Sequence, residues 1–187
     1  MCGSTTYKAI KEAKVEPGQW VAIYGAGGLG DLAIQYAKKV FNARVVAVDI
    51  NQDKLELAKE SGADLVVNGK EVEDVAGYIQ EKTGGTHSAV VTAVSKVAFN
   101  QAVDRVRAVG LPSEYMDLSI VKTVLDGIRV VGSLVGTRKD LEEAFDFGAQ
   151  GLVVPVVETV PVDTAVKVFD QMGKGEIQGR KVLDFTK

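Results

Sequence analysis

The sequence is poor in several residue types and patterns that define whole classes of protein. Its 187 residues include one cysteine and one histidine, which excludes an internal disulfide and a zinc site built only from those two residue types. No apolar run reaches membrane-spanning length, and the first residues lack the charged and apolar regions of a signal peptide. The net charge is −3 with dispersed lysines, so no basic patch forms. We therefore expect a cytoplasmic protein that binds neither nucleic acid nor membrane.

What is present is an ordinary globular composition with a regular alternation of apolar runs and amphipathic segments. Hydrophobic residues make up 46% of the chain and charged residues 25%. Short apolar runs that alternate with helical patterns predict an α/β fold with a doubly wound parallel sheet, the Rossmann fold. A valine-rich stretch with two prolines begins at Gly151. We therefore predict a domain over 1–150 and an extension over 151–187.

The most informative segment is the glycine-rich loop that follows the apolar run 20–24. Gly25, Gly27 and Gly30 form a Gly-x-Gly-x-x-Gly pattern that opens an amphipathic segment, and the next apolar run ends in Asp49. In this order of strand, loop, helix, strand and acid, the glycines allow a tight turn, close approach of a pyrophosphate, and close packing of helix on strand. The helix N-terminus presents free N–H groups to the phosphates. The pattern predicts a dinucleotide-binding site.

The acid at the end of the second strand predicts which dinucleotide binds. The Asp49 carboxylate can accept hydrogen bonds from the adenosine ribose hydroxyls, and it would repel a 2′-phosphate. We therefore expect NAD rather than NADP. The alternatives are a tight turn in an α/β protein that binds no nucleotide, a stand-alone NAD-binding or sensing module, and, more weakly, a methyltransferase that uses the same sheet.

Beyond the loop, the chain resembles the coenzyme-binding part of zinc-dependent medium-chain alcohol dehydrogenases of the tetrameric bacterial and yeast type. The resemblance runs nearly end to end, and its blocks occur in order. They are 8–9, 17–23, 27–30, 35–38, 55–59, 62–64, 92–95, 132–138 and 175–180.

The resemblance implies a set of coenzyme contacts, which fall into four groups. They are Gly25, Gly27, Gly28, Leu29 and Gly30 at the pyrophosphate; Asp49 and Lys54 at the adenosine ribose; Val94, Gly110, Leu111, Leu134 and Val135 around the nicotinamide; and Arg180 at the phosphates. Each residue of the nicotinamide group fits a place in the hydrophobic core equally well. The family pairs a dimer through the strand that corresponds to 128–133, so a homodimer through that strand is expected.

Cys2 resembles a ligand of the family's catalytic zinc. That metal needs a further cysteine and a histidine, which the family carries on a catalytic domain that this sequence does not contain. The intact family oxidises an alcohol to an aldehyde or ketone and reduces NAD+ to NADH. For this chain we expect no complete catalytic set, no zinc binding and no turnover by itself.

The sequence departs from the family between Val106 and Pro112. Relatives have about half a dozen more residues there, which include most of one parallel strand. We therefore expect one strand to be shortened, which places Gly110 and Leu111 in doubt as coenzyme contacts. Separately, the local pattern predicts a helix that begins at Lys96 and continues to about Arg107.

Tyr7 and Lys11 spell the Tyr-x-x-x-Lys pair of short-chain dehydrogenases. They precede the glycine loop, so the match is coincidental.

Overall fold

The computed structural model describes residues 1–102 and 105–186, and for 105 and 106 the backbone alone. Within these residues, six strands form one sheet in the order β3-β2-β1-β4-β5-β6, with every neighbouring pair parallel. The strands are β1 (Trp20–Tyr24), β2 (Arg44–Asp49), β3 (Leu65–Asn68), β4 (Ser88–Val91), β5 (Arg105–Ala108) and β6 (Arg129–Gly132). The order reverses between β1 and β4, as in a doubly wound sheet. The predicted fold class is confirmed.

Helices cover both faces of this sheet. They are α1 (Cys2–Ala13), α2 (Gly28–Gln35), α3 (Gln52–Glu60), α4 (Val75–Thr83), α5 (Lys96–Gln101), α6 (Ile120–Leu125) and α7 (Arg138–Ala149). The helix α2 continues into a π-helical turn, Tyr36–Val40. None of the helices in the described residues combines the length and apolarity needed to span a bilayer.

The hydrophobic core lies in two layers because strand side chains alternate between the faces of the sheet. Val21 and Ile23 of β1 point into one layer, which includes side chains of α1 and α2. Ala22 and Tyr24 point into the other, which includes side chains of α4 and α5. Strands buried on both sides give the uninterrupted apolar runs of the sequence.

The C-terminal part of the chain forms a second, smaller sheet. Its strands β7 (Val157–Pro161) and β8 (Arg180–Asp184) pair in parallel, and between them lie a 3-10 turn, Val162–Thr164, and the helix α8 (Ala165–Gly173). The pairing aligns Val157 with Arg180. The strand β7 and the helix α6 were not predicted from the sequence.

The expectation that most of one parallel strand is missing is wrong. The strand β5 has four residues, as do β3, β4 and β6, and it pairs with both β4 and β6. The short element is instead α5, which ends at Gln101 rather than near Arg107; positions 103 and 104 of the predicted helix lie outside the described residues. Two neighbouring strands supply backbone hydrogen bonds on both sides, and these hold a short segment extended.

Ser4 is a residue type that often caps a helix, and as such it predicts a first helix over Thr5 to Lys14. In the structure Ser4 does not cap the helix; it lies inside α1, where its Oγ donates a hydrogen bond to the Met1 carbonyl at 3.0 Å. Cys2 is therefore the first helical residue.

Candidate functional site

The glycine loop connects β1 to α2 at the carboxyl edge of the sheet, and its geometry requires glycine at two positions. Gly25 has φ +94°, and a Cβ there would lie 2.8 Å from the Ala93 nitrogen. A Cβ on Gly30 would lie 1.8 Å from the Gly25 carbonyl oxygen. The loop therefore folds back tightly on the first turn of α2.

The N-terminus of α2 is open. Gly27 is the N-cap residue and offers no side chain to bond the first N–H groups, and a Cβ on Gly27 would meet nothing within 4 Å. An uncapped helix start carries a partial positive charge and free donors. The space beside Gly27 can thus accept an anion.

Asp49 lies at the end of β2 and binds the loop. Its Oδ2 accepts a hydrogen bond from the Ala26 N–H at 2.7 Å, and its Oδ1 accepts from the N–H groups of Ile50 at 2.7 Å and Asn51 at 3.0 Å. The side chain is half-buried. These bonds hold the carboxylate at the carboxyl edge of the sheet, beside the glycine loop.

An apolar cavity of about 300 Å³ adjoins Asp49 between β1, β2 and β4. Its walls include Tyr24, Val48, Ile50, Ala93 and Val97. Its size and lining suit a flat heteroaromatic ring. None of these five side chains was predicted as a contact, since apolar residues at strand ends cannot be told from core residues by sequence.

A second cavity, of about 350 Å³, lies between α2 and the small sheet, and it brings together residues from distant parts of the chain. Gly28, Lys54 and Arg180 all line it. The Arg180 guanidinium lies against the first turn of α2, because a Cβ on Gly28 would lie 2.7 Å from its Nε. Among the described residues, Nε and Nη2 of Arg180 are buried without a hydrogen-bond partner. Buried N–H groups of a permanent cation are costly unless paired.

The residues predicted around the nicotinamide lie after the carboxyl ends of neighbouring strands. Val94 follows β4, Gly110 and Leu111 follow β5, and Leu134 and Val135 follow β6. Val94, Leu111 and Leu134 are each more than 70% exposed, which argues against the core alternative for these three. Val135 has φ +46°, an unusual conformation for a β-branched residue.

Gly110, which the sequence placed in doubt, packs closely on the segment after β4. Its N–H donates to the Val91 carbonyl at 2.9 Å, and a Cβ there would lie 2.2 Å from the Ala93 carbonyl oxygen. The segment after β5 is therefore held against β4.

Cys2 is partly exposed and packs against the core layer that contains α1. In the described part of the chain, no group of three or more histidine, cysteine, aspartate or glutamate side chains is placed to hold a metal ion. His87 lies just before β4, where its Nδ1 accepts a hydrogen bond from the Trp20 N–H at 3.2 Å.

A groove of about 730 Å³ next to His87 is larger than either cavity. It is lined by α4, the turn before β4, and two residues in and after α6. It adjoins the amino ends of β1 and β4, whereas open α/β sheets bind their ligands at the carboxyl ends. It does not belong to the candidate site.

Tyr7 and Lys11 have a structural role in the contact of α1 with α7. The Glu143 carboxylate accepts hydrogen bonds from Tyr7 Oη and Lys11 Nζ, both at 2.6 Å. Burial, reinforced by the bond to Glu143, raises the pKa of Tyr7 to about 12. The bond to Glu143 also raises the pKa of Lys11.

Strand order, switch point and glycine loop together define a doubly wound, Rossmann-type α/β domain. The comparisons with known proteins give a narrower assignment. The family model for zinc-binding dehydrogenases matches residues 28–150, and the chain belongs to that family.

Similar proteins agree with this assignment and span more than this chain. An alcohol dehydrogenase of Geobacillus stearothermophilus is 54% identical over 97% of the chain, which covers 55% of that protein. The crystal structure of the alcohol dehydrogenase of Aeropyrum pernix matches 97% of the chain and 55% of its own length, with a TM-score of 0.90 and 32% identity. An acetophenone reductase of Geotrichum candidum, solved in complex with NAD, matches all of the chain and 54% of its own length, with a TM-score of 0.86 and 27% identity. The chain thus spans about half the length of these relatives.

Proposed function

We propose that this chain is the coenzyme-binding part of an NAD-dependent, zinc-type alcohol dehydrogenase and that it binds NAD(H) at the glycine loop. Residues 1–150 form the coenzyme domain, and 151–187 form an extension that supplies Arg180. The observation that carries the proposal is the Arg180 guanidinium, whose Nε and Nη2 are buried beside Gly28 without a hydrogen-bond partner among the described residues.

The chemistry of the donor set matches a dinucleotide pyrophosphate. Arg180 offers paired N–H donors, Lys54 lines the same cavity, and the open N-terminus of α2 adds backbone donors beside Gly27. A pyrophosphate needs several donors and positive charge, and a phosphate oxygen would satisfy the guanidinium atoms that the protein leaves unpaired. Leu29 and Gly30 complete the loop under the phosphates.

The adenosine end fits the remaining features of the same edge. The apolar cavity beside Asp49 would take the adenine, and the Asp49 carboxylate would accept the ribose hydroxyls. A 2′-phosphate at that place would meet a carboxylate, so the site favours NAD over NADP.

At the other end, Val94, Gly110, Leu111, Leu134 and Val135 would surround the nicotinamide. When bound, NAD supplies the hydride acceptor for alcohol oxidation. The role of this chain is to bind the coenzyme and to orient the nicotinamide ring at the exposed apolar ends of β4, β5 and β6.

The residues of this chain do not fit a complete zinc site. Cys2 would contribute one ligand, and the described residues place no second and third ligand beside it. We therefore propose that the chain alone does not oxidise alcohols. Formation of NADH from NAD+ and ethanol, followed by absorbance with added zinc, should stay at background; a rate well above background would contradict this proposal.

The exposed edge of the sheet supports self-association. The strand β6 lies at the edge, and all four of its residues are exposed. We propose that β6 and the adjoining residues of 128–133 form a homodimer, since an apolar edge strand offers unpaired backbone groups. Sedimentation at several concentrations should show a dimer that Val131→Lys weakens.

The experiment that tests coenzyme binding is a fluorescence titration of the chain with NADH and, in parallel, NADPH. We expect saturable NADH binding and binding of NADPH weaker by roughly tenfold or more, because one close like-charge contact costs about 1.4 kcal/mol or more. Asp49→Asn should weaken NADH binding and reduce the difference between the two coenzymes. Asp53→Asn, an exposed aspartate in the first turn of α3, is the control and should change neither.

The titration also separates the alternatives. No binding of either coenzyme would overturn the proposal. NADH binding together with the absence of a dimer in the sedimentation experiment would favour a stand-alone NAD-binding module.

A further inference from the structure

A buried polar network connects the helix that follows the glycine loop to the segment that carries Arg180. The Gln35 side chain is 3% exposed. Its Nε2 donates to the Val154 carbonyl at 2.9 Å, and its Oε1 accepts from the Val154 N–H at 2.9 Å. The amide thus pairs with both backbone groups of one residue, as a neighbouring strand would.

Asp31 fixes the orientation of this amide. It is 1% exposed, and its Oδ2 accepts a hydrogen bond from Gln35 Nε2 at 3.1 Å, while its Oδ1 accepts from the Ser61 hydroxyl. A carboxylate oxygen can only accept, so the amide nitrogen of Gln35 must face Asp31 and its oxygen must face the Val154 N–H. Burial raises the pKa of Asp31, and the two donors oppose that rise.

From Val154 the chain leads within two residues to the main-chain contact of Arg180. The Val156 carbonyl accepts a hydrogen bond from the Arg180 N–H at 2.8 Å. Gly179 lies directly against that carbonyl, since a Cβ there would be 2.4 Å from its oxygen. Gly179 and Arg180 in turn contact Gly28 at the start of α2. The contacts therefore form a closed circuit that begins and ends on α2.

We propose that Gln35, oriented by Asp31, is a positioning residue that holds Arg180 over the pyrophosphate loop. This inference rests on the proposed function, because it assigns to Arg180 a phosphate of NAD(H). Two nitrogen atoms of the Arg180 guanidinium, Nε and Nη2, are buried without a partner among the described residues, so no hydrogen bond at either atom holds the side chain in place. The backbone that carries it must be fixed instead, and Gln35 fixes it before the coenzyme arrives.

The test is a double-mutant cycle on NADH affinity. Gln35→Met keeps the side-chain length and removes the three hydrogen bonds of the side-chain amide, and Arg180→Met removes the guanidinium. Loss of a charge-assisted bond predicts that Arg180→Met raises the NADH Kd roughly 10- to 100-fold and Gln35→Met about tenfold. In the Arg180→Met background, Gln35→Met should change the Kd less than about twofold. Gln150→Met, an exposed glutamine after α7, is the matched control and should leave the Kd unchanged.

Adenosine separates positioning from general damage, because it has no phosphate for Arg180 to bind. Gln35→Met should leave the adenosine Kd within about twofold, as expected for a site that is otherwise intact. A tenfold loss that persists in the Arg180→Met background, or an equal loss on adenosine, would overturn the inference.

Hydrogen exchange of the unaltered chain tests, without a variant, the pair of hydrogen bonds between Gln35 and the Val154 backbone, which we call the clamp. Val154 is 55% exposed, but its amide should exchange slowly without coenzyme because it is bonded to Gln35. The amide of Glu114, an exposed loop residue, is the fast reference. Exchange of Val154 as fast as that of Glu114 would show that the clamp does not exist. If the clamp is present and NADH fails to bind the unaltered chain, the proposed function fails and the clamp remains as a structural contact.

Discussion

Two strands of the sheet, the interior strand β2 and the edge strand β6, contrast in how their apolar side chains are covered. In β2, the side chains from Val45 to Val48 are at most 5% exposed. In β6, which is also valine-rich, Val130 and Val131 are 40% and 37% exposed. The helix α6, which leads into β6, exposes Ile120, Val121, Val124 and Leu125 to more than 65%. The same kinds of residue are buried on one side of the molecule and open on the other.

This difference separates a part of the sheet that the described residues cover on both faces from a part that they leave open. Around β1 and β2, helices from this chain cover both faces, and the cavity that we propose for the adenine lies there, beside Asp49. Around β6 and α6, the apolar surface has no cover from the described residues, and large patches of this kind mark interfaces. The contrast agrees with the proposed dimer and with a chain that spans about half the length of its relatives.

The most direct test of this contrast is to truncate one isoleucine in the covered part of the fold and one in the exposed part. Ile23 in β1 is fully buried, so Ile23→Ala should lower the free energy of unfolding by about 3 kcal/mol. Ile120 in α6 is 82% exposed, and Ile120→Ala should change it by less than about 0.5 kcal/mol. Urea unfolding of the two variants measures both values. A comparable loss for Ile120→Ala would mean that α6 is covered in solution, which would remove the contrast.

A smaller effect is expected at the glycine loop, and it falls on binding rather than stability. A methyl group at Gly27 meets nothing within 4 Å in the protein, but it would occupy space beside the pyrophosphate. Gly27→Ala should therefore leave the melting temperature within about 2 °C, as for a neutral surface change. The NADH Kd should rise roughly 10- to 100-fold, the cost of forcing a methyl group into a packed contact.

Gly173→Ala is the control for that change, because a Cβ there also meets nothing within 4 Å and the residue is exposed at the end of α8. It should alter neither the melting temperature nor the NADH Kd. An unchanged Kd in Gly27→Ala would place the phosphates elsewhere.

The smallest expected effect concerns the contact between α1 and α7, in which Tyr7 and Lys11 both donate hydrogen bonds to Glu143. Tyr7→Phe removes a bond to Glu143 and should cost about 1 kcal/mol. Tyr7 is an acid whose pKa rises from 10.0 in the unfolded chain to about 12 in the fold. The fold therefore favours its protonated form, and the stability that this provides is lost as the pH rises from about 10 to 12.

The pH dependence of thermal unfolding checks this linkage. The melting temperature of the unaltered chain should fall more steeply between pH 10 and 12 than that of Tyr7→Phe. Tyr115→Phe is the control, since Tyr115 is 90% exposed, and it should keep the steep fall. Parallel curves for the unaltered chain and Tyr7→Phe would show that the Tyr7 hydroxyl does not stabilise the fold.

Much of the fold could be read from local patterns. The apolar run 20–24 and the apolar run that ends in Asp49 are the strands β1 and β2 of the structure, and both were predicted because each is a strongly apolar run. The loop residues and Asp49 were predicted because their spacing is local. The nicotinamide contacts, Lys54 and Arg180 stay predictions that depend on the family resemblance and on the experiments above.

The errors arose where an element depends on its neighbours. The strand β5 was expected to be mostly absent, since relatives have about half a dozen more residues between Val106 and Pro112. It forms because β4 and β6 offer hydrogen bonds on both sides. The bond between Gln35 and Val154 spans 119 residues, and no local pattern carries such a signal.

The sequence by itself determined the periodic elements, the tight turn at Gly25, the acid at the end of β2, and the family to which the chain belongs. These depend on backbone sterics and on spacings of a few residues, which act before distant parts meet. Only the tertiary structure decided that β5 is a strand, that Gln35 pairs with Val154, and that Arg180 lies over the first turn of α2. Those outcomes depend on which groups remain unpaired when the sheet and the C-terminal segment come together.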